Sequence, residues 1–211
     1  KDGYVIGLGS GSTAAYAIAE IGRKIREEEI EVLGIPTSSQ AFLLAIKNKI
    51  PLTTLTEHPV INLTIDGADQ VDSKLNLIKG MGGALTREKI VASCSKKVII
   101  IIDETKLTEN LGEKQPIPIE VLPFALEPVS IKIQKLNGTP KLREGKGKIG
   151  PVVTDNGNYI IDAFFAQIKD PEKLNEEIKL IPGVIETGLF INLADLIYIG
   201  RRDGTIIKLK K

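Results

Sequence analysis

The sequence predicts an α/β fold in which a doubly wound, mostly parallel sheet is accompanied by a smaller α+β domain. In the first half of the chain, short apolar runs alternate with stretches whose apolar residues recur every three or four positions. Such alternating strands and helices build a parallel sheet. After a proline-punctuated crossing at residues 115–123, the order becomes strand, helix, strand, strand, helix, strand, which is that of a split βαβ domain.

In the first half, the run at residues 97–102 is almost continuously apolar. A central parallel strand that is buried on both faces has this composition. The strands expected here are residues 4–9, 30–35, 52–55, 60–65, 75–78 and 97–102, and the helices are about 14–28, 40–48 and 86–95.

The second half supplies the smaller domain. Its expected strands are residues 117–122, 139–144, 158–164 and 184–190, and its expected helices are about 126–136 and 171–179. Two further strand-like runs, at residues 195–200 and 205–208, return to the first sheet. We therefore expect a Rossmann-like catalytic domain in residues 1–116 and 191–211, and a ferredoxin-like α+β domain in residues 117–190.

Composition narrows the classes of function. The chain has 211 residues, of which 42% are hydrophobic and 26% are charged, as in globular proteins. A net charge of +1 offers no basic surplus for a nucleic-acid partner, and no apolar run approaches the ~18 residues of a membrane span. The only cysteine, Cys94, excludes an internal disulfide and suits a reducing cytoplasm, so we expect a cytoplasmic protein.

Glycines and hydroxyl groups lie between the first strand and the first helix, at Ser10-Gly11-Ser12-Thr13. Backbone N–H groups in such a turn, together with the helix dipole, can hold a phosphate. The alternative is a tight turn in which Ser12 or Thr13 caps the helix. The motif lacks the lysine of a Walker loop and the full glycine spacing of a dinucleotide site.

Acidic residues and a lysine are expected at the same edge of the sheet. Asp66 and Asp69 lie where a buried strand ends, Lys79 enters a glycine-rich loop, and Glu88 lies in the first turn of a helix. Ligands bind at this edge of α/β sheets. Each residue also has a structural alternative, because Asp favours turns and a helix dipole favours Glu in the first turn.

Taken together, these groups can move a carbonyl between two carbons of a sugar. That reaction needs a base for the proton next to the carbonyl, a proton donor for the oxygen, and a stabiliser of the enediolate. Two carboxyl groups and an ammonium group supply these functions without a metal ion. His58 is the only histidine and lies in a loop, so no metal site and no cofactor are expected.

Several motifs together resemble those of ribose-5-phosphate isomerase, type A. They are Gly7-Leu8-Gly9-Ser10-Gly11-Ser12-Thr13-Ala14, Asp66-Gly67-Ala68-Asp69, residues 79–89 (KGMGGALTREK) and residues 153–158 (VTDNGN). The resemblance continues through Ile181-Pro182-Gly183-Val184 and Gly188-Leu189-Phe190, so it covers essentially the whole chain. It implies interconversion of D-ribose 5-phosphate and D-ribulose 5-phosphate in the pentose phosphate pathway, a metal-free mechanism and a homodimer or homotetramer.

The resemblance also implies roles for residues. Glu88 matches the proton-transferring base, and Asp66 matches the carboxylate that assists ring opening and proton transfer between oxygens. Asp69 and Lys79 match residues that hold the substrate hydroxyls and the enediolate. The implied substrate-binding residues are Ser10, Gly11, Ser12, Thr13, Asp66, Gly67, Ala68, Asp69, Lys79, Gly80, Met81, Gly82 and Lys106.

Two positions depart from the pattern of that family. Gln70 stands where many members have Glu, and Met81 interrupts a run that is often all glycine. Two other functions stay open from the sequence. One is a non-catalytic sugar-phosphate sensor, and the other is a related sugar-phosphate isomerase or deaminase, whose ring-opening step would call for a histidine better placed than His58.

Overall fold

The computed structural model describes residues 2–147 and 149–211. The strands are β1 (Tyr4–Leu8), β2 (Val32–Pro36), β3 (Leu63–Asp66), β4 (Gln70–Val71), β5 (Leu77–Ile78), β6 (Val98–Asp103), β7 (Ile117–Val121), β8 (Gly138–Leu142), β9 (Tyr159–Phe165), β10 (Val184–Thr187), β11 (Leu189–Phe190), β12 (Leu196–Gly200) and β13 (Ile206–Lys210). The helices are α1 (Ser12–Glu28), α2 (Ser39–Lys47), α3 (Leu85–Ser93), α4 (Leu126–Lys135) and α5 (Pro171–Lys179), with short 3-10 helices at Glu104–Lys106 and Pro123–Ala125.

The chain divides into two compact units. The first contains the residues up to Ala68 together with Arg87–Thr105 and Leu193–Lys211. The second contains Asp69–Thr86 and Lys106–Asn192. In the part of the chain that the structure describes, no helix has the length and apolar character needed to cross a bilayer.

A six-stranded sheet forms the centre of the first unit, in the order β13-β12-β6-β3-β1-β2. All neighbouring strands are parallel except β13, which runs antiparallel to β12 at the edge. Successive residues of β1 pack into two different cores. Ile6 packs with Ile18 of α1 and Ala41 of α2, whereas Val5 packs with Val91 of α3. Helices therefore cover both faces, and the predicted doubly wound, mostly parallel sheet is confirmed.

The second unit contains a four-stranded antiparallel sheet in the order β10-β7-β9-β8. With α4 after β7 and α5 after β9, this is the predicted ferredoxin-like arrangement. Its core joins Ile119 of β7, Ile161 of β9, Val129 of α4 and Ile178 of α5. A small antiparallel sheet, β11-β5-β4, completes the unit.

The compact units differ from the predicted domains at three segments. Residues 69–86, 106–116 and 191–192 were expected in the first domain, but they belong to the second compact unit. Residues 69–86 belong to the second unit because β5 pairs with β11, and β11 directly follows the ferredoxin-like strands in the chain. The division into 1–116 with 191–211, and 117–190, remains a prediction about domains; residue 1 lies outside the described residues.

Three local expectations were wrong. Helix α1 begins after Gly11 with no side-chain cap, so neither Ser12 nor Thr13 caps it. Residues 52–55 form no strand, because only Leu52 makes an isolated bridge. The predicted strand at 184–190 is two strands in different sheets, β10 and β11.

Candidate active site

The sequence-predicted site residues fall into two groups, one in each compact unit. In the first unit, the chain passes from β1 to β2 on one side and then returns to β3 on the other side of β1. The strand order therefore reverses between β1 and β3. In open α/β sheets, ligands bind at the carboxyl ends of the strands where the order reverses. Ser10 follows β1 and Asp66 ends β3, so both lie at this place.

Asp66 connects the two strand ends. Its Oδ1 accepts hydrogen bonds from the backbone N–H of Ser10 (3.1 Å) and from the backbone N–H of Gly67 (2.7 Å). The side chain is only 2% exposed. Because a buried carboxylate is costly unless it is hydrogen-bonded, these two amides help to offset its desolvation. Asp66 therefore fixes the backbone of both loops that the sequence predicted to bind substrate.

Gly9 makes this arrangement possible. Its N–H donates to the carbonyl of Ile65 (3.0 Å), which brings the two chains close together. A methyl group at Gly9 would overlap the carboxylate and the Cα of Asp66. Glycine is therefore required at this position by close approach of the backbone.

A chain of hydroxyl groups lies beside the same loop. Ser10 Oγ is 2.8 Å from Thr37 Oγ1 and donates to Ser38 Oγ (2.5 Å). Ser38 in turn accepts the N–H of Ala41 (3.1 Å), so it caps α2. Thr37 is fully buried and donates to the carbonyl of Leu8. The link from Ser10 to these two residues was not foreseen, because hydroxyl contacts across strands leave no periodic signal in a sequence.

Some backbone amides of the predicted phosphate loop, residues 10–13, already donate hydrogen bonds to other groups of the protein. The N–H of Ser10 donates to Asp66, and the N–H of Gly11 donates to Gln40 Oε1 (2.8 Å). Ser12 and Thr13 form the start of α1, whose first turn contains no acidic residue. The first amides of a helix have no acceptor within the helix. The N–H groups of Ser12 and Thr13 therefore lie at the positive end of the helix dipole.

Glu88 lies in the first turn of α3, as predicted. It is 5% exposed, so both Glu88 and Asp66 are buried acids of the first unit. Acidic side chains are almost never this deeply buried without a hydrogen-bonding, ionic or functional reason. Their low exposure distinguishes them from an acid such as Glu172, which also lies in the first turn of a helix but is exposed.

The second unit contains Asp69, Lys79 and the glycine-rich loop. Asp69 Oδ2 accepts the N–H of Met81 (3.0 Å), so Asp69 holds the start of that loop. Lys79 is 3% exposed, and its Nζ lies 5.5 Å from the centre of the Phe190 ring. An ammonium group at that distance from an aromatic face is stabilised by a cation–π interaction. The backbone N–H of Lys79 donates to Gly188 O (2.9 Å).

The remaining predicted residues occupy three places. Gly67 and Ala68 are partly buried directly after β3, in the first unit. Gly80 has a positive φ of 106°, whereas Gly82 lies in open surroundings. Lys106 is partly buried at the end of a 3-10 helix.

Arg143 was not predicted, although it supports the glycine-rich loop. Its Nη1 donates to the carbonyls of Gly80 (2.8 Å) and Met81 (2.9 Å). The same guanidinium forms a partly buried ion pair with Asp162. Arg143 directly follows β8, and its partners Gly80 and Met81 are more than 60 residues away in the sequence, so the sequence held no signal for this contact. Met81 stands where the family often has glycine, and it accepts its hydrogen bond from Arg143 Nη1 through its backbone carbonyl.

Gln70, the other departure from the expected pattern, has a structural role. It is 1% exposed, and its Oε1 accepts the N–H of Gly112 (2.7 Å). An acceptor oxygen is what this contact requires, and both Gln and Glu carry one.

Another buried carboxylate, Glu120, was not predicted as a functional residue. Glu120 in β7 is fully buried and accepts four hydrogen bonds from side chains. Its donors are Thr86, Thr154, Asn156 and Asn158. The sequence places Glu120 in an apolar strand between prolines and gave no reason to select it. The motif at residues 153–158 was recognised only as part of the resemblance.

Among residues 2–147 and 149–211, no group of three or more His, Cys, Asp or Glu side chains could hold a metal ion.

Fold and strand-end chemistry define an α/β protein with a buried acid, Asp66, at the point where the strand order of its parallel sheet reverses. The family Ribose 5-phosphate isomerase A (phosphoriboisomerase A) matches residues 33–204. The chain belongs to this family.

Relatives and solved structures agree with this membership. Ribose-5-phosphate isomerase A of Methanosarcina acetivorans is 52% identical over 206 residues, covering 98% of this chain and 87% of the relative. The enzyme of the same name from Archaeoglobus fulgidus is 55% identical over 192 residues, covering 90% and 84%. The structure of ribose 5-phosphate isomerase A from Methanocaldococcus jannaschii is 48% identical with a TM-score of 0.96, covering 100% of this chain and 92% of that chain. A D-ribose-5-phosphate isomerase in complex with phospho-erythronic acid is 47% identical with a TM-score of 0.97 and the same coverages.

The close approach at Gly9 can be tested by substitution. We expect Gly9→Ala to lower the free energy of unfolding by about 1–3 kcal/mol, because the added methyl group overlaps a buried carboxylate. The matched control is Gly147→Ala, where an added Cβ meets no atom within 4 Å. That control should change stability by less than about 0.5 kcal/mol. Urea unfolding followed by circular dichroism measures both, and equal stabilities would contradict the steric argument.

Proposed function

We propose that this chain interconverts D-ribose 5-phosphate and D-ribulose 5-phosphate by proton transfer through an enediolate. Family membership supports the reaction. Within this chain, the observation that carries it is the burial of two acids, Asp66 and Glu88, in the unit whose strand order reverses beside Asp66. A neighbouring structure that contains phospho-erythronic acid supports a phosphorylated sugar as the ligand.

Glu88 is the base in this proposal. Its carboxylate removes the proton from C2 of the open-chain aldose, and the electrons of that bond form the double bond between C1 and C2. The carbonyl oxygen at C1 then gains charge and takes a proton. Return of the proton from Glu88 to C1, with loss of the proton on the C2 oxygen, gives the ketose. Such a positioned acid–base group contributes about 10²–10⁴-fold to a rate.

The other proposed residues act on the oxygen atoms of the substrate and stabilise the negative charge of the enediolate. Asp66 assists ring opening and moves protons between substrate oxygens. Two backbone N–H groups hold its carboxylate in a fixed position for these steps. Asp69 and Lys79 hold substrate hydroxyls and the enediolate, and Lys106 contacts the substrate. The ammonium group of Lys79 offers positive charge where the enediolate is negative.

Phosphate binding is assigned to residues 10–13. Two of the loop's amides, at Ser10 and Gly11, donate to protein oxygens and fix its shape. The amides of Ser12 and Thr13 begin α1 and are the groups that a phosphate would meet at the positive end of the helix.

Replacement of the base is the most direct test. We expect Glu88→Gln to lower kcat by at least about a hundredfold with KM nearly unchanged, because the amide cannot accept the C2 proton while the binding groups stay in place. A ketopentose assay with ribose 5-phosphate and no added metal measures both constants.

The control is Glu172→Gln, which changes an exposed acid in the first turn of α5. It should leave kcat unchanged. Near-normal turnover by Glu88→Gln would rule out Glu88 as the base. Binding of ribose 5-phosphate without any turnover by the unchanged protein would identify a sugar-phosphate sensor instead.

The proposed chemistry requires no metal ion and no cofactor, because carboxyl and ammonium groups supply every proton and charge. We therefore expect the same kcat before and after dialysis against EDTA. Strong inhibition that a divalent cation reverses would indicate a hydride-shift isomerase that depends on a metal.

We also propose a cytoplasmic protein that forms a homodimer or homotetramer. The single cysteine, Cys94, is consistent with a reducing compartment, which cell fractionation would test. Self-association is supported by α2, where Phe42, Leu43 and Ile46 are 47%, 66% and 56% exposed. These residues lie on one face of the helix. Clustered exposed apolar side chains of this kind mark interaction surfaces.

Charge on this face should disrupt the oligomer. We expect Leu43→Glu to lower the molar mass measured by light scattering, because a buried unpaired carboxylate is unfavourable in an interface. Glu172→Gln, on another helix, is the control and should leave the mass unchanged. An unchanged oligomer in Leu43→Glu would show that association uses another surface.

A further inference from the structure

Glu120 is a buried carboxylate that the proposed reaction does not use. It is fully buried in β7. Its Oε1 accepts hydrogen bonds from Thr154 Oγ1 (2.9 Å), Asn156 Nδ2 (3.1 Å) and Asn158 Nδ2 (2.8 Å). Its Oε2 accepts one from Thr86 Oγ1 (2.5 Å). A carboxylate with donors on both oxygens is held firmly, because each lost bond would leave buried charge unsatisfied.

The four donors come from two different segments. Three belong to the turn at residues 154–158, and the fourth, Thr86, belongs to the first turn of α3. Thr86 is itself buried, at 9% exposure. Glu120 therefore fixes the beginning of α3 to the central strand β7 by a charge-assisted hydrogen bond, which is about twice as strong as a neutral one.

The beginning of α3 also carries Glu88, two residues after Thr86. Two residues of an α-helix are about 3 Å apart along its axis, so both side chains belong to the same turn. A rotation or shift of that turn moves Glu88 together with Thr86. Gly82 and Gly83 in the preceding loop have no side chains that could hold this turn. The hydroxyl of Thr86 is therefore a side-chain anchor of the turn.

We propose that Glu120 is a positioning residue for the base, acting through Thr86 on the first turn of α3. This inference rests on the proposed role of Glu88. Glu120 itself touches no reacting atom in the mechanism. Its effect is on the orientation of the Glu88 carboxylate toward the C2 proton, which is a requirement of proton transfer and not of substrate binding.

The proposal predicts a specific kinetic change in Thr86→Val, which keeps the branched shape but removes the hydroxyl donor. We expect kcat to fall about tenfold to a hundredfold, because a misplacement of about 1 Å can cost about a hundredfold in rate. KM should stay close to that of the unchanged protein. With ribose 5-phosphate deuterated at C2, the isotope effect on kcat should rise, since removal of the C2 proton becomes slower relative to the other steps.

Thr154→Val is the matched control. It removes a hydroxyl donor from the same carboxylate, and it also removes the acceptor of the N–H groups of Asn156 and Asn158. We therefore expect it to be at least as destabilising as Thr86→Val in urea unfolding, with a kcat and an isotope effect close to those of the unchanged protein. Thr86→Ser, which keeps the hydroxyl, should restore kcat.

The outcomes separate this inference from the assignment of the base. If Thr86→Val and Thr154→Val lose kcat in proportion to their loss of stability, with no change in the isotope effect, Glu120 has only a structural role and the inference fails. If Thr86→Val does not fold, Thr86→Cys replaces it, because a thiol is a weaker donor. A kcat for Thr86→Cys equal to that of Thr86→Ser would overturn the inference. Full activity of Glu88→Gln would instead refute the base itself.

Discussion

The hydrogen bonds from two backbone amides to Asp66 are the constraint on which the strand-end site of the first unit depends. They hold the loop after β1 and the loop after β3 to one carboxylate oxygen. They also require glycine at position 9, because any side chain there would occupy the same space. The position of the proposed phosphate loop and the position of a proposed catalytic group are therefore set by the same contacts. A change at either loop would be transmitted to the other through Asp66.

Each compact unit contains one fully or nearly fully buried carboxylate that orders backbone segments distant in the sequence. Asp66 does so with backbone donors, whereas Glu120 uses side-chain donors. Burying a charge costs several kcal/mol unless it is compensated. Each carboxylate is stable only when all its hydrogen bonds are formed, because a buried charge with some of its donors missing would be less favourable than an apolar contact. The two carboxylates therefore hold the segments that donate to them in a defined geometry. For an isomerase this geometry matters, since proton transfer depends on the distance and angle between base and substrate.

Much of the fold followed from the sequence, because hydrophobic periodicity survives wherever an element packs against a core. The run at residues 97–102 became the central strand β6, and the helix at residues 171–179 was located to the residue. Prediction failed where the local pattern was not decisive: residues 52–55 are two threonines between two leucines, and they pair at only one position. Among site residues, Asp66 and Glu88 stood at strand and helix ends that pattern can locate. Glu120 and Arg143 could not be found in this way, because their importance lies in partners that are distant in the sequence.

The order of the chain through the two units has a consequence for folding during synthesis. The parallel strand β6 has β12 as a neighbour, and Leu196 pairs with Ile99 across a gap that contains most of the second unit. On the ribosome, β6 therefore emerges long before its partner, with one edge of a highly apolar strand unpaired. Exposed edges of this kind pair readily with other chains. The ferredoxin-like segment, β7 to β10, lies between β6 and β12 in the sequence and is formed from nearly continuous chain. It can therefore fold while the central sheet still lacks β12.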